Sequence, residues 1–145
     1  MSHTIRLNGD LGVIVLRCRG DVDFREIIEA FHELADIPGF KSGLKLVADF
    51  RESTTLLNEA QIDEMANYLK ITDDEWGATK WTMISSSDRT YGLGRQFEKQ
   101  TEQCHVSTHI FRAVDDADNW FGIDVPMFEI LYLTPDGILA GKQVE

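Results

Sequence analysis

The residues best suited to chemistry fall in three short runs. Asp49-Phe-Arg51-Glu-Ser53-Thr54-Thr55 brings a carboxylate, a guanidinium and three hydroxyls together, and Ser85-Ser86-Ser87-Asp88-Arg89, with Tyr91 just beyond, repeats the mixture. Arg112 to Asp115 supplies a third charged turn. Such groups, converging, could hold a small polar ligand or the loop of a partner protein. The plainer reading makes Asp88 and Asp115 helix N-caps, the serines loop residues and the arginines solvated, because capping side chains are favourable at such positions. The candidate binding residues are thus Asp49, Arg51, Ser53, Thr54, Thr55, Asn58, Ser86, Ser87, Asp88, Arg89 and Tyr91.

Other patterns carry less. Tyr91-Gly-Leu-Gly94 lacks the third glycine of a dinucleotide fingerprint and the Gly-Lys-Ser/Thr of a P-loop, so Gly94 is read as a close-packing residue between helix and sheet. His105 and His109, four apart on an expected strand, share a face and lie near Cys104, but three groups suffice only for an open metal site. No metal and no cofactor are therefore expected. Asp73-Asp74-Glu75 lacks the spaced oxygens of a calcium loop and reads as a solvated turn, and His3 falls in a terminus expected to fray. A nucleophile paired with a base is not assembled by any motif, and no catalytic residue is assigned.

The elements that must position these groups are those of one domain. The 145 residues are enough to bury a core without disulfides or metals, so Cys18 and Cys104 are expected as free thiols. A net charge of −11 and a pI near 4.7 repel phosphate backbones and anionic lipid surfaces, so no nucleic-acid partner and no membrane insertion are expected. No apolar run approaches the ~20 residues of a membrane span. Met1-Ser-His-Thr-Ile shows no basic region followed by an apolar core, and a cytoplasmic location is expected.

Asn8-Gly9-Asp10 between apolar runs predicts an opening hairpin, and Phe24, Ile27, Ile28, Phe31 and Leu34 predict an amphipathic helix that begins at Asp23. Gly43 to Ala48 reads as a strand, followed by a polar loop from Asp49 to Thr55. Asn58 with Gln61 predicts a capped second helix, and Thr72 to Gly77 a loop. Two strand-then-helix units follow, Trp81 to Phe97 and Val106 to Phe121. Strands alternating with helices predict an α/β fold with a mixed sheet of about five strands, an antiparallel hairpin first and about four helices packed on it. Ligands gather beyond the carboxyl ends of parallel strands, which places all three polar runs on one edge.

The order of elements, together with Gly20-Asp-Val-Asp-Phe-Arg-Glu-Ile-Ile28, Gly43 to Arg51, Tyr91 to Phe97 and His109 to Trp120, resembles the STAS-like (SpoIIAA-like) superfamily, in particular its small stand-alone bacterial members. The resemblance spans residues 5 to 122. It implies a protein-interaction or regulatory module rather than an enzyme. In phospho-switched members, a strand ending in Asp precedes a turn whose serine is phosphorylated. Asp49 matches the strand end, but the turn here reads Leu57-Asn58-Glu59-Ala60 and has no phosphoacceptor serine. The alternatives are a carrier or sensor for a small or lipid-like molecule and, third, an enzyme with an unrecognised site; the partner or ligand is not identified.

Residues 1–124 form the STAS-like unit, and 125–145 extend it. Phe128 to Leu133, Thr134-Pro-Asp-Gly137 and Ile138 to Ala140 predict a second hairpin, apolar on both faces. One face packs on the domain, and the other is expected to meet a second copy in a homodimer.

Overall fold

The computed structural model describes residues 2–37, 40 and 44–133. Strands β1 (Ser2–Asn8) and β2 (Val13–Val22) form the expected antiparallel hairpin, with Leu11 N donating to Asn8 Oδ1 at 3.2 Å across the turn. Helix α1 (Phe24–Ala35) then leads to β3 (Lys45–Thr55), α2 (Glu59–Trp76), β4 (Thr79–Ile84), α3 (Asp88–Gln100) and β5 (Val106–Phe111). The sheet order is β1-β2-β3-β4-β5, parallel from β2 onward. A short 3-10 helix (Val114–Ala117), α4 (Asp118–Phe121) and α5 (Met127–Leu133) close the described chain.

Both faces of the sheet are covered, as the long apolar stretches of its strands require. On one face Ile14, Leu16, Leu46, Ala48 and Trp81 pack against Ile27, Ala30 and Leu34 of α1, Ile62, Met65 and Leu69 of α2, and Leu93 and Phe97 of α3. Phe31, Phe40, Tyr68, Trp76 and Trp81 make a chain of ring contacts at centroid distances of 5.4 to 6.0 Å. On the other face Val13, Val15, Val47 and Ile84 meet Ala117, Phe121, Met127, Ile130 and Leu131. Lys45 and Lys80, at the amino ends of β3 and β4, hold α4 by donating to the carbonyls of Phe121 (2.8 Å) and Trp120 (2.7 Å).

Local expectations hold where a side chain does a defined job. Asn58 and Gln61 form the reciprocal box that starts α2, at 2.8 and 3.0 Å. Gly94 touches β5 so closely that an added Cβ would lie 2.2 Å from Ile110 Cδ1. Asp23 caps α1 by accepting from Glu26 N at 3.0 Å, but the Glu26 carboxylate does not return the bond; it accepts from His3 instead.

Four expectations are corrected. Asp49 to Thr55 is strand, not loop: β3 continues because β2 runs on beside it, pairing Arg19 with Glu52 and Val22 with Thr55 past a register shift. Thr72 to Trp76 is the last part of α2 rather than a loop, since Leu69, Asp73 and Trp76 keep to its buried face. His3 does not fray, because it pairs with Cys18 in the hairpin. Phe128 to Leu133 is helical and not the first strand of a hairpin. Met127, Ile130 and Leu131 are buried while Phe128 and Tyr132 are exposed, a spacing of three and four that belongs to a helix; a run of apolar residues broken only by Glu129 fits either period in sequence. Pro126 precedes this helix, and Asp118 Oδ1 accepts from Met127 N at 2.7 Å. The Pro135-Asp-Gly137 turn and the Ile138 to Ala140 strand lie outside the described residues.

Candidate functional site

The carboxyl end of β3, the turn after β4 and the starts of α2 and α3 bring together Thr55, Asn58, Ser87, Asp88, Arg89 and Tyr91. Every one of these side chains has an internal partner. Thr90 Oγ1 donates to Thr55 Oγ1 at 2.9 Å in the buried seam between α3 and β3. Arg89 donates to the carbonyl of Leu57 and, at 3.4 Å, to that of Thr55. Ser87, not Asp88, is the N-cap of α3, its Oγ accepting from Thr90 N at 3.3 Å. Asp88, one residue on, accepts from Arg112 at 2.7 Å, and the Arg112 guanidinium lies 4.1 Å from the centre of the Tyr91 ring. Ser86 and Thr54 are exposed. Nor does Asp115 cap its helix: it stands inside a 3-10 turn that no side chain caps. Between the two helix starts runs a wide, open groove of about 820 Å³ bordered by Asn58, Glu59, Asp88, Arg89, Gly92 and Gln96.

Asp49 and Arg51 are not part of that edge. They lie further back along β3, where Arg51 forks onto the Asp49 carboxylate, Nε to Oδ1 and Nη2 to Oδ2, both at 2.9 Å. The Asp49 hydrogen bonds raise the Arg51 pKa against the opposing pull of burial. Ser53 donates to the carbonyl of Phe50 at 3.1 Å. A single edge site containing all the candidates is therefore absent, because β3 runs on as a strand and spreads them along its length.

His105 and His109 separate as well. His105 precedes β5, where its Nδ1 meets Asp73 Oδ2 at 2.8 Å, and the same carboxylate accepts from the backbone N–H groups of His105 (2.8 Å) and Val106 (3.2 Å). Burial pushes the Asp73 pKa up, and the three bonds outweigh it and leave the carboxyl below the usual range. Asp73 is thus a clip between α2 and β5 rather than a solvated residue, although Asp73, Asp74 and His105 together offer three ligand atoms within 4.8 Å of one another. His109 stacks on Trp120 at 5.5 Å and pairs with Glu98 at 2.7 Å. The two cysteines are unbridged, and burial, with Glu26 and Asp49 adding to it, pushes Cys18 up to about 12, far from a reactive thiolate.

No family model matches the chain, and no curated protein matches it. Among solved structures it resembles an uncharacterized protein of the DUF3478 family from Shewanella loihica, described as having a SpoIIAA-like fold. The two share 14% identity with a TM-score of 0.52, over 83% of this chain and 92% of the other. The chain has a SpoIIAA-like fold.

Within this SpoIIAA-like fold the feature that sequence reasoning missed lies under the helices. An apolar void of about 60 Å³ opens between α1 and the sheet, lined by Leu16, Ala30, Leu34, Leu46, Ala48 and Trp81 among others. A second, of about 50 Å³, continues beneath α2 and α3 and shares Ile27, Phe50, Met65, Met83 and Phe97 with the first. Trp81 is 3% exposed, and its Nε1 has no hydrogen-bond partner among the described residues. The only signal in the sequence was the small size of Ala30 and Ala48, which face each other across this layer and which periodicity alone reads as ordinary core.

Proposed function

We propose that this STAS-like domain is a non-enzymatic binding module that holds an elongated apolar molecule between its helices and its sheet. The observation that carries the reading is the pair of adjoining apolar voids along the helical face. Protein interiors pack like organic crystals, and voids that can take several waters yet offer them no polar partners stay dry or fill with an apolar guest. Met65 and Met83 border both voids, and their unbranched side chains adapt to a guest at small cost. The unpartnered Trp81 Nε1 offers one donor, which suits a molecule with a single acceptor at one end. Ligand sites commonly enclose ~300 Å³ or more, so the guest must lift α1 from the sheet to enter.

The non-enzymatic reading is supported by the commitment of Thr55, Ser87, Asp49 and Asp88 to a buried hydroxyl pair, a helix cap and two ion pairs, and by a Cys18 thiol raised out of the nucleophilic range. The sequence alone favours a partner protein over a ligand; the voids support the ligand reading. The test is a thermal melt of the intact protein with saturated fatty acids of increasing length, alongside native mass spectrometry of protein as purified. A ligand at 100 times its dissociation constant stabilises by ~2.7 kcal/mol. At ~2–4 °C per kcal/mol for a chain of this size, the melt should rise by roughly 5–11 °C. Ala30→Leu, which fills the first void, should keep the fold and lose the shift. No shift at any chain length and no bound mass would overturn the reading.

A second role rests on α5. Phe128 and Tyr132, one turn apart, are 58% and 80% exposed on the helix that covers the far face of the sheet. Two aromatic rings in adjacent exposure favour burial against a second copy of the chain, the homodimer expected from the sequence but made by a helix rather than a hairpin. Light scattering decides it: a monomer at high micromolar concentration removes this role and leaves the ligand reading untouched.

A further inference from the structure

A guest between the helices and the sheet, as proposed above, meets different chemistry at its two ends. Trp81 marks one end: it lines the first void and pairs in register with Leu46, near the start of β3. Thr55 marks the other, as the last residue of β3 and part of the lining of the second void. At the Trp81 end the buried donors without a partner are neutral, the indole Nε1 of Trp81 and the hydroxyl of Thr82. A carboxylate buried there would have no opposite charge to meet, which is costly.

The Thr55 end offers more. Thr55 and Thr90 are each 6% exposed, and both line the second void. Their mutual hydrogen bond, Thr90 Oγ1 to Thr55 Oγ1 at 2.9 Å, uses one of the pair's two hydroxyl protons; the Thr55 proton has no acceptor among the described residues. Just outside stands Arg89. It does not line the void, but it donates to the carbonyls of Leu57 and Thr55, two residues that do. Those bonds use two of the five N–H groups of a guanidinium, and among the described residues no carboxylate pairs with it. Arg89 also borders the open groove between the starts of α2 and α3, and Leu93 lines both that groove and the void, so the two adjoin at this point.

We propose that the guest is a long-chain monocarboxylate, its tail in the voids and its carboxylate at the Thr55 end, held by the spare proton of the Thr55–Thr90 pair and the unspent donors of Arg89. This assignment rests on the apolar-guest reading and adds to it the charge and direction of the guest. The guanidinium fork matches the two oxygens of a carboxylate. At the rim the ion also keeps the water of the groove, which avoids the desolvation of a fully buried charge. A phosphate head fits less well. Glu59 and Asp88 border the same groove, Asp88 already paired with Arg112 at 2.7 Å, and a dianion there would add to the repulsion within a chain of net charge −11.

The test is a calorimetric titration of the intact protein with dodecanoate, 1-dodecanol and dodecyl phosphate, each kept below its aggregation concentration. Dodecanoate should bind at least ~10-fold more tightly than the alcohol, because a charge-assisted pair is about twice as strong as a neutral hydrogen bond, and more tightly than the phosphate. Arg89→Gln should weaken dodecanoate to the level of the alcohol and leave the alcohol as it was. Arg25→Gln removes an equal charge from an arginine of α1 that is 86% exposed, and should change neither. If none of the three probes binds, the apolar-guest reading fails and this assignment with it. If the alcohol binds as tightly as the acid, the phosphate binds more tightly, or Arg89→Gln keeps the preference for the acid, the carboxylate assignment is overturned while the guest reading stands. Binding of the alcohol reports whether Arg89→Gln is folded, and the comparison of acid with alcohol on the natural protein decides the matter where it is not.

Discussion

His3 ties the first strand to the first helix, and replacing it tests how much of the docking of α1 is electrostatic. Its ring lies between two carboxylates of α1, Nδ1 3.0 Å from Glu26 Oε2 and Nε2 2.8 Å from Glu33 Oε2. The His3 and Glu26 side chains are 11% and 3% exposed, and the other Glu26 oxygen has no partner. Burial pulls the His3 pKa down, but the hydrogen bonds and charges of Glu26 and Glu33 together outweigh it, and the net shift is upward. A histidine whose folded pKa is raised contributes stability that is fully present below its unfolded value, near 6.5, and is lost as pH rises through the folded value. In His3→Ala the Glu26 carboxylate is left buried with no donor from β1. Removing one partner of a fully buried pair costs ~3–5 kcal/mol. Glu33 is 34% exposed and partly screened, so about 2–3 kcal/mol is the better figure here, a drop of roughly 4–12 °C in melting temperature at pH 6. Urea or thermal melts of both proteins from pH 5.5 to 9 should show the gap narrowing as pH rises. A gap that stays constant across that range, or one below ~0.5 kcal/mol at pH 6, would refute the ion-pair account and leave His3 as a packing residue. Glu26→Gln supplies the control: it removes the buried charge, and in that background His3→Ala should cost less than in the natural protein.

Four further substitutions probe the contacts that hold the helices to the sheet, the exposed Thr54 serving as the control. Gly94→Ala places a methyl 2.2 Å from Ile110 Cδ1 and should cost about 1–3 kcal/mol through separation of α3 from β5, measured by urea unfolding. Asp73→Asn weakens the clip on His105 and Val106 by about 1–2 kcal/mol at neutral pH; because the folded Asp73 pKa is lowered, that contribution is present above ~4 and fades as pH falls, so wild type and variant should converge in acid melts. Thr55→Ala leaves the Thr90 hydroxyl buried and unpaired and should cost about 1–2 kcal/mol, whereas exposed Thr54→Ala should stay within ~0.5 kcal/mol; equal melting temperatures for the two would remove the distinction.

What the sequence made legible follows from which interactions are local. The hairpin at Asn8-Gly9, the cap at Asn58 and the close approach at Gly94 are each decided by one or two residues and their neighbours, and each stands as read. The sheet order follows from the alternation of strands and helices, because short crossovers allow few alternatives. Three readings failed where the deciding partner is distant in sequence. β3 runs past Asp49 because β2 continues beside it to Val22, a fact about residues some thirty positions earlier. Asp73 looks solvated until β5 places two backbone N–H groups on it. His3 looks frayed until α1 brings Glu26 and Glu33 to its ring. Met127 to Leu133 failed for another reason: a run of almost unbroken apolar residues satisfies both the strand and the helix period, and only the burial of Met127, Ile130 and Leu131 against the sheet selects one. The same distance explains the site itself. Thr55 and Ser87 were conspicuous in sequence and turn out to be spent on the seam and the cap of α3, while the apolar voids are assembled across the helical layer. The voids need the joint geometry of α1, α2, α3 and the strands beneath them. Where local demands are met, function is to be sought in what remains unpartnered among the described residues, here the Trp81 Nε1 beside the voids.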